Sequence, residues 1–120
     1  MRKPSQIKSE NLARLVVDVA SDKQASDIVL LDINGLSDFA DYFVITTVET
    51  KRQMKSLTED IETEMERCGA TLYHKEGIDA GGWVLLDFGD VVVHMFGLEE
   101  RDYFGIEEVW DQGVEAVRIQ

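Results

Sequence analysis

The hydrophobic pattern of the chain alternates between helical spacing and short, uninterrupted apolar runs. Over Ser9–Asp22 the apolar residues recur three and four positions apart, which predicts a one-faced helix with Ser9 as its N-cap. A second helix is predicted after the capping box Thr50-Lys51-Arg52-Gln53, and Gly69 fits its C′ position. The apolar faces of the two helices comprise Leu12, Leu15, Val16 and Val19, and then Met54, Leu57, Ile61 and Met65.

Apolar runs rich in β-branched residues predict strands at residues 28–31 and at Tyr42–Thr47. Both runs are typical of strands that are buried on their two faces. Residues 71–75 fit a third strand, and the glycine-bearing stretch 77–82 is expected to form a turn or loop.

The clearest pattern is a β-hairpin in which residues 83–87 and 91–96 flank Phe88-Gly89-Asp90. The predicted register has Phe88-Gly89 at the tip and pairs Trp83 with His94, Leu85 with Val92 and Asp87 with Asp90. One face of this hairpin then carries Trp83, Leu85, Val92, His94 and Phe96. The other face is purely aliphatic and carries Val84, Leu86, Val91, Val93 and Met95.

The order of the elements predicts a single domain over residues 1–120 with an α/β (α+β-like) fold. A charged, aromatic helix is expected at residues 98–110, weakened by Gly105, and the last ten residues are expected to be either a strand or an unanchored tail. The elements then combine into a mixed sheet of about five strands with helices packed on it. Because the two long predicted helices cannot cover both sides of such a sheet completely, some apolar sheet surface is expected to stay open to a partner.

Charge narrows the classes of partner. Twelve basic and twenty-four acidic side chains give a formal net charge of −12, and a surface with that field disfavours direct binding to nucleic acid. Residues 76–120 hold two basic and eleven acidic side chains, so most of the excess lies in the C-terminal part. A basic protein partner fits this distribution, although a merely solubilising surface would look the same.

The sequence shows no pattern typical of disulfide bonding, membrane insertion, export or nucleophilic catalysis. Cys68 is the one cysteine and cannot form an internal disulfide, which favours a reducing compartment. The sequence has no apolar run long enough for a membrane span and no signal-peptide pattern, so a cytoplasmic location without membrane contact is expected. His74 and His94 lie in separate predicted strands with no serine or cysteine elbow nearby, so no nucleophilic triad is predicted.

The acidic residues leave one enzymatic alternative open. Asp87 and Asp90 could hold magnesium at the hairpin tip or simply cap the turn, and only Asp38 or Asp41 could complete a metal site. The alternative function is a magnesium-dependent nucleotidyltransferase, which would use Asp38, Asp41 and Asp87. Its triphosphate loop would have to be Gly35-Leu36-Ser37, which matches such loops only weakly.

Two motifs carry a resemblance to a known family. The block from Trp83 to Phe96, followed by Arg101, Tyr103-Phe104 and Glu108-Val109-Trp110, closely resembles the signature of the Iojap-type ribosomal silencing factor family (RsfS-like). Upstream, the stretch 41–45 and the pair Arg52-Gln53 resemble the other motif of the family, so the likeness covers about residues 9 to 111. The resemblance is specific because fourteen consecutive hairpin positions fit it.

The resemblance implies a fold similar to nucleotidyltransferases but no catalysis, metal or cofactor. It implies binding to the large ribosomal subunit through ribosomal protein uL-fourteen, where the factor blocks joining of the small subunit and represses translation, and a homodimer when free. A dimerisation module without a ribosomal partner is the third class of function. The partner surface that the resemblance implies comprises Trp83, Leu85, Asp87, Phe88, Asp90 and His94, with Arg101 and Tyr103 beside it.

The sequence departs from the family pattern at two places. Thr47-Val48-Glu49-Thr50 stands where a glycine-serine turn is usual, so a functional role is not carried over to that loop. Gly105 replaces the polar residue that usually follows the aromatic pair, and it is expected to loosen the last helix. The hairpin is unaffected by either departure.

Overall fold

The computed structural model describes residues 8–36, 38, 40–77, 82–109 and 113–119. Their helices are α1 (Ser9–Asp22), α2 (Lys51–Arg67), α3 (Leu98–Phe104) and α4 (Ile106–Val109). Their strands are β1 (Ser26–Asp32), β2 (Tyr42–Thr47), β3 (His74–Glu76), β4 (Trp83–Asp87), β5 (Val91–Phe96) and β6 (Val114–Ile119).

The strands form one mixed sheet in the order β3-β4-β5-β2-β1-β6. Only the central pair β2–β5 is parallel, with Val44 opposite Val93, and every other neighbouring pair is antiparallel. The predicted mixed α/β class is confirmed. The sheet has six strands rather than about five because the C-terminal segment, which the sequence left as strand or tail, pairs with β1 through Leu30 and Val117.

Both predicted long helices pack on the same side of the sheet. Their buried residues contact the aliphatic face of the strands, where Val44 and Met95 lie in one cluster with Val16, Leu57 and Ile61. α1 has the predicted bounds, but its N-cap is Lys8 and not Ser9. The Ser9 hydroxyl lies instead 3.4 Å from Asp41 Oδ2, so this side chain links the helix to the loop before β2.

The predicted ends of α2 are confirmed. Thr50 Oγ1 accepts a hydrogen bond from the Gln53 amide at 3.0 Å, and Gln53 Oε1 accepts one from the Glu49 amide at 2.8 Å. Gly69 adopts φ 89°, and the next amide, that of Ala70, donates to the Met65 carbonyl at 3.0 Å. Both ends therefore satisfy backbone groups that a helix leaves without intrahelical partners.

The opposite face of the sheet is less open than the helix count led us to expect. Phe43, Ile45, Val92 and Phe96 lie on that face and are each at most 6% exposed. Ile106 of α4 packs against the same cluster. The apolar sheet surface that was expected to stay open is therefore not found at the centre of this face, whereas Trp83 and Leu85 at its side are partly exposed.

The predicted helix at 98–110 is divided at Gly105. This glycine has φ 53° and ψ 38°, a left-handed conformation that ends α3 before α4 begins. The predicted third strand is shorter and later than 71–75, since it covers only His74–Glu76. Trp110 and most of the predicted 77–82 loop lie outside the described residues. Among the helices that the structure describes, none has the length and apolar character to cross a bilayer.

Candidate partner-binding surface

The hairpin that carries most of the predicted site has a different register from the predicted one. Trp83 lies opposite Phe96, Leu85 opposite His94 and Asp87 opposite Val92. The pairing is shifted by two residues, which preserves the faces because side chains alternate with a period of two. The predicted assignment of residues to the two faces is therefore confirmed, whereas the predicted pairs are wrong.

Phe88 explains the shift. Its side chain is only 6% exposed and packs in the core under the helices, and its N–H donates to the Val91 carbonyl at 2.9 Å. The tip therefore consists of Gly89 and Asp90, with Gly89 at φ 88° in the first central position. Burial leaves Phe88 little surface for a partner.

The two hairpin aspartates have different surroundings. Asp87 is half-buried, and its Oδ1 accepts a hydrogen bond from the Gly89 amide at 2.7 Å, as a turn-capping aspartate does. Asp90 is exposed, and its main-chain carbonyl accepts from the amides of Asp41 at 2.8 Å and Tyr42 at 3.0 Å. These bonds fasten the tip of the hairpin to the start of β2.

An aromatic cluster supports Trp83 at the other end of the hairpin. The half-buried indole is stacked on Phe96 with a centroid separation of 5.1 Å, and its Nε1–H donates to His94 Nδ1 at 3.3 Å. Phe43 meets the His94 ring edge-on at 4.8 Å. Leu85 is half-buried on the same face. The cluster holds the indole in a fixed position while leaving part of it accessible.

His94 is 3% exposed, and this burial lowers the pKa of its imidazole from 6.5 to about 4. The ring is therefore neutral near pH 7, and because Nδ1 accepts from Trp83 its proton lies on Nε2. Nε2 has no hydrogen-bond partner among the residues that the structure describes. His94 thus orients Trp83 and has almost no surface of its own to offer.

Arg101 is also buried, at 6% exposure, and faces inward. Its Nη1 donates to the Asp27 carbonyl and to Thr47 Oγ1, and its Nε donates to Glu107 Oε1, each at 2.8 Å. Direct contact of this guanidinium with a partner is therefore disfavoured. Tyr103, two residues later on α3, is 82% exposed.

The structure groups the predicted site residues in two places. Trp83 and the start of α3 lie at one end of the hairpin, where the Gly97 amide donates to the Gly82 carbonyl at 2.9 Å. Asp87 and Asp90 lie at the other end, about 13 Å away along β4 at the usual rise per residue. Leu98 was missed by the sequence reasoning, although it is 60% exposed at the start of α3, because a single leucine among acidic residues carries no periodic signal.

The residues of the enzymatic alternative do not form a metal site. Asp38, Asp41 and Asp87 are all described, yet no three His, Cys, Asp or Glu side chains of the described part of the chain converge as cation ligands do. Ser37 of the weak triphosphate loop lies outside the described residues. His74 is exposed and pairs with Glu76 at 3.0 Å, so it is not part of a triad with His94.

Comparisons with known proteins agree with the resemblance that the sequence motifs carry. The family model described as "Ribosomal silencing factor during starvation" matches residues 6–120. The ribosomal silencing factor RsfS of Bacillus subtilis is 36% identical over 84% of this chain and 86% of its own length. The chloroplastic protein Iojap of Arabidopsis thaliana is 28% identical over 89% of this chain, which spans 45% of that longer protein.

A solved structure shows the same fold. A crystal structure of a Chromobacterium violaceum protein superimposes with a TM-score of 0.84 at 30% identity and covers 92% of this chain and 94% of that one. The match of the family model over nearly the whole chain confirms the resemblance carried by the hairpin motif. The chain therefore belongs to the ribosomal silencing factor family, which includes RsfS and Iojap.

Proposed function

We propose that this protein represses translation by binding the large ribosomal subunit through ribosomal protein uL-fourteen and blocking its association with the small subunit. Membership of the silencing factor family supports the general role. The observation that carries the specific proposal is the half-buried Trp83, held by Phe96 and His94 at the start of β4. Tryptophan in a braced, partly exposed position is a frequent anchor of protein interfaces.

The proposed contact surface combines apolar anchors with acidic groups. Trp83 and Leu85 share one face of β4, and Tyr103 is 82% exposed on α3. Asp87 and Asp90 would receive basic groups of the partner at the hairpin tip. Phe88, His94 and Arg101 act from beneath this surface, because all three are at most 6% exposed.

Pre-organisation is the physical advantage of this arrangement. Trp83 already has its stacking and hydrogen-bond partners in place before any partner arrives, so little side-chain entropy is lost on binding. The net charge of −12 would draw a basic ribosomal protein towards the surface. Repression then needs no chemistry, since the bound protein occupies a surface that the small subunit requires.

We also propose that the chain acts as a single domain in the cytoplasm and is not an enzyme. A homodimer forms when no ribosomal partner is present, because apolar surface intended for a partner can be shared by a second copy. Dimer and ribosome complex would then exclude each other.

A sedimentation assay with isolated large subunits tests the proposal. Trp83→Ala is expected to lose about 2 kcal/mol of binding free energy, or about thirtyfold in affinity, because an interface anchor is truncated. Leu85→Ala should also weaken binding. Its matched control is Leu15→Ala, because Leu15 is likewise half-buried but lies on the helical side of the sheet.

A subunit-joining assay tests the consequence of binding. The wild-type protein should lower the yield of joined ribosomes in proportion to its occupancy of large subunits, and Trp83→Ala should restore joining. If the Trp83→Ala variant bound large subunits as tightly as the wild type, the proposed contact surface would be contradicted. Tight binding without any effect on joining would contradict the proposed mechanism.

A further inference from the structure

Two arginines and two carboxylates form a closed ring of alternating charge beside the start of β1. Arg101 Nε donates to Glu107 Oε1 at 2.8 Å, and Arg118 Nη2 donates to Glu107 Oε2 at 3.0 Å. Arg118 Nη1 donates to Asp27 Oδ1 at 2.8 Å, and Arg101 Nη2 lies 3.8 Å from Asp27 Oδ2. Glu107 therefore hydrogen-bonds to both guanidinium groups, whereas Asp27 hydrogen-bonds to Arg118 and makes only a longer ion pair with Arg101, whose Nη2 has no hydrogen-bond partner among the described residues. The ring joins α3, α4, β1 and β6.

The backbone of β1 is shaped to receive Arg101. Asp27 has φ 48°, a left-handed conformation that costs energy in a residue with a side chain, and the β1–β2 register shifts between Ser26 and Val29. This bulge turns the Asp27 carbonyl towards Arg101, whose Nη1 donates to it at 2.8 Å. The same Nη1 donates to the buried Thr47 hydroxyl at the end of β2.

α3 depends on such external fixation. It has seven residues, and a helix this short is not stable in water through its own hydrogen bonds. The Gly97–Gly82 backbone bond fixes its start, and Gly105 ends it in a left-handed conformation. Arg101 fastens the middle of α3 to the sheet through its bonds to the Asp27 carbonyl and Thr47 Oγ1.

We propose that Arg101 is a positioning residue, which fixes α3 through the charge ring so that Leu98 and Tyr103 are held in fixed positions on the surface for the ribosomal partner. This inference rests on the proposed function. Leu98 and Tyr103 are 60% and 82% exposed on the same short helix. Arg101 itself, at 6% exposure, acts through them and not by contact.

The variant Arg101→Lys tests the proposal, because lysine keeps the charge but cannot reach Glu107, Thr47 and the Asp27 carbonyl together. Its affinity for large subunits is expected to fall about tenfold, within the range for loss of a positioned interface element. Circular dichroism at the binding temperature verifies that the variant is folded. The matched control is Arg14→Lys, since Arg14 pairs with Glu10 on the exposed face of α1, and this variant should bind as the wild type does.

A double-mutant cycle separates positioning from a merely structural effect. In a Leu98→Ala/Tyr103→Ala background, Arg101→Lys should reduce affinity by less than about twofold, because the residues it positions are gone. A full tenfold loss of affinity in that background would overturn the proposal, since Arg101 would then act independently of Leu98 and Tyr103.

Amide hydrogen exchange provides a readout without the ribosome. The Gly105 amide donates to the Arg101 carbonyl at 3.2 Å, and its exchange should become about tenfold faster in Arg101→Lys, while α2 amides exchange as in the wild type. Unchanged exchange at Gly105 would overturn the proposal. If the wild-type protein failed to bind large subunits, the proposed function would fall, and the exchange data would still decide whether the ring holds α3.

Discussion

At the scale of single residues, Trp83 and His94 depend on each other. The indole N–H needs an acceptor, and the buried imidazole supplies one only while Nδ1 is unprotonated. Burial keeps Nδ1 unprotonated near pH 7, because it lowers the pKa of His94 to about 4. The same residue therefore orients the proposed anchor and makes the fold sensitive to acid.

This dependence predicts how stability changes with pH. Between pH 6.5 and about 4, His94 is protonated in the unfolded chain but not in the folded chain. The free energy of unfolding therefore has its full value above this pH window and decreases as the pH falls through it. The contribution of His94 to this loss should approach about 3 kcal/mol. Urea unfolding across the window should show a smaller loss for His94→Gln than for the wild type.

The comparison of the variant with the wild type isolates the effect of His94. An equal acid-induced loss in His94→Gln and in the wild type would show that His94 is not the group responsible.

At the scale of elements, local sequence signals decide where the helices begin and end. α2 starts at a threonine whose side chain accepts from the Gln53 amide. α3 ends where Gly105 adopts the left-handed conformation. In the hairpin turn, Gly89 likewise takes a positive φ at the first central position.

Capping gives a prediction at this scale. Thr50→Ala should destabilise the protein by about 1 kcal/mol, because an N-cap acceptor is lost. Thr63→Ala is the matched control on the same helix, since the Thr63 hydroxyl donates to the Glu59 carbonyl one turn earlier and does not cap a helix end. Thermal unfolding of the two variants should therefore differ, and equal melting temperatures would contradict the capping role.

At the scale of the whole molecule, charge and topology set what the surface can do. The net charge of −12 gives a long-range field, whereas the sheet positions the apolar anchors at one end of the hairpin and the aspartates at the other. Association with a basic partner is therefore expected to be steered electrostatically and then held by the apolar contacts.

Steering predicts a salt effect on the rate of association. The association rate with large subunits should fall several-fold between about 50 mM and about 300 mM salt, because screening shortens the reach of the field. Asp90→Asn should slow association more than Asp18→Asn, although both remove one exposed carboxylate, because Asp18 lies on α1 behind the sheet. Equal rates for the two variants would argue against docking through the hairpin tip.

Much of this fold could be predicted from the sequence, because α1, α2 and the hairpin are encoded by local periodicity and turn residues. The pairing within the hairpin could not be, since it depends on whether Phe88 is buried, which only the packed core decides. The sequence left the sixth strand open between a strand and a tail, and the inward position of Arg101 was missed. Both rest on contacts between distant parts of the chain, such as Val117 with Leu30 and Arg101 with Asp27.

The pairing of β6 with β1 has a consequence for newly made protein. Arg118 reaches Asp27 across most of the chain, so neither the last strand nor the charge ring can form until the C-terminal residues have emerged. Because synthesis proceeds from the N-terminus, a nascent copy would hold α3 in its final position only after residues 114–119 have left the exit tunnel of the ribosome that makes it.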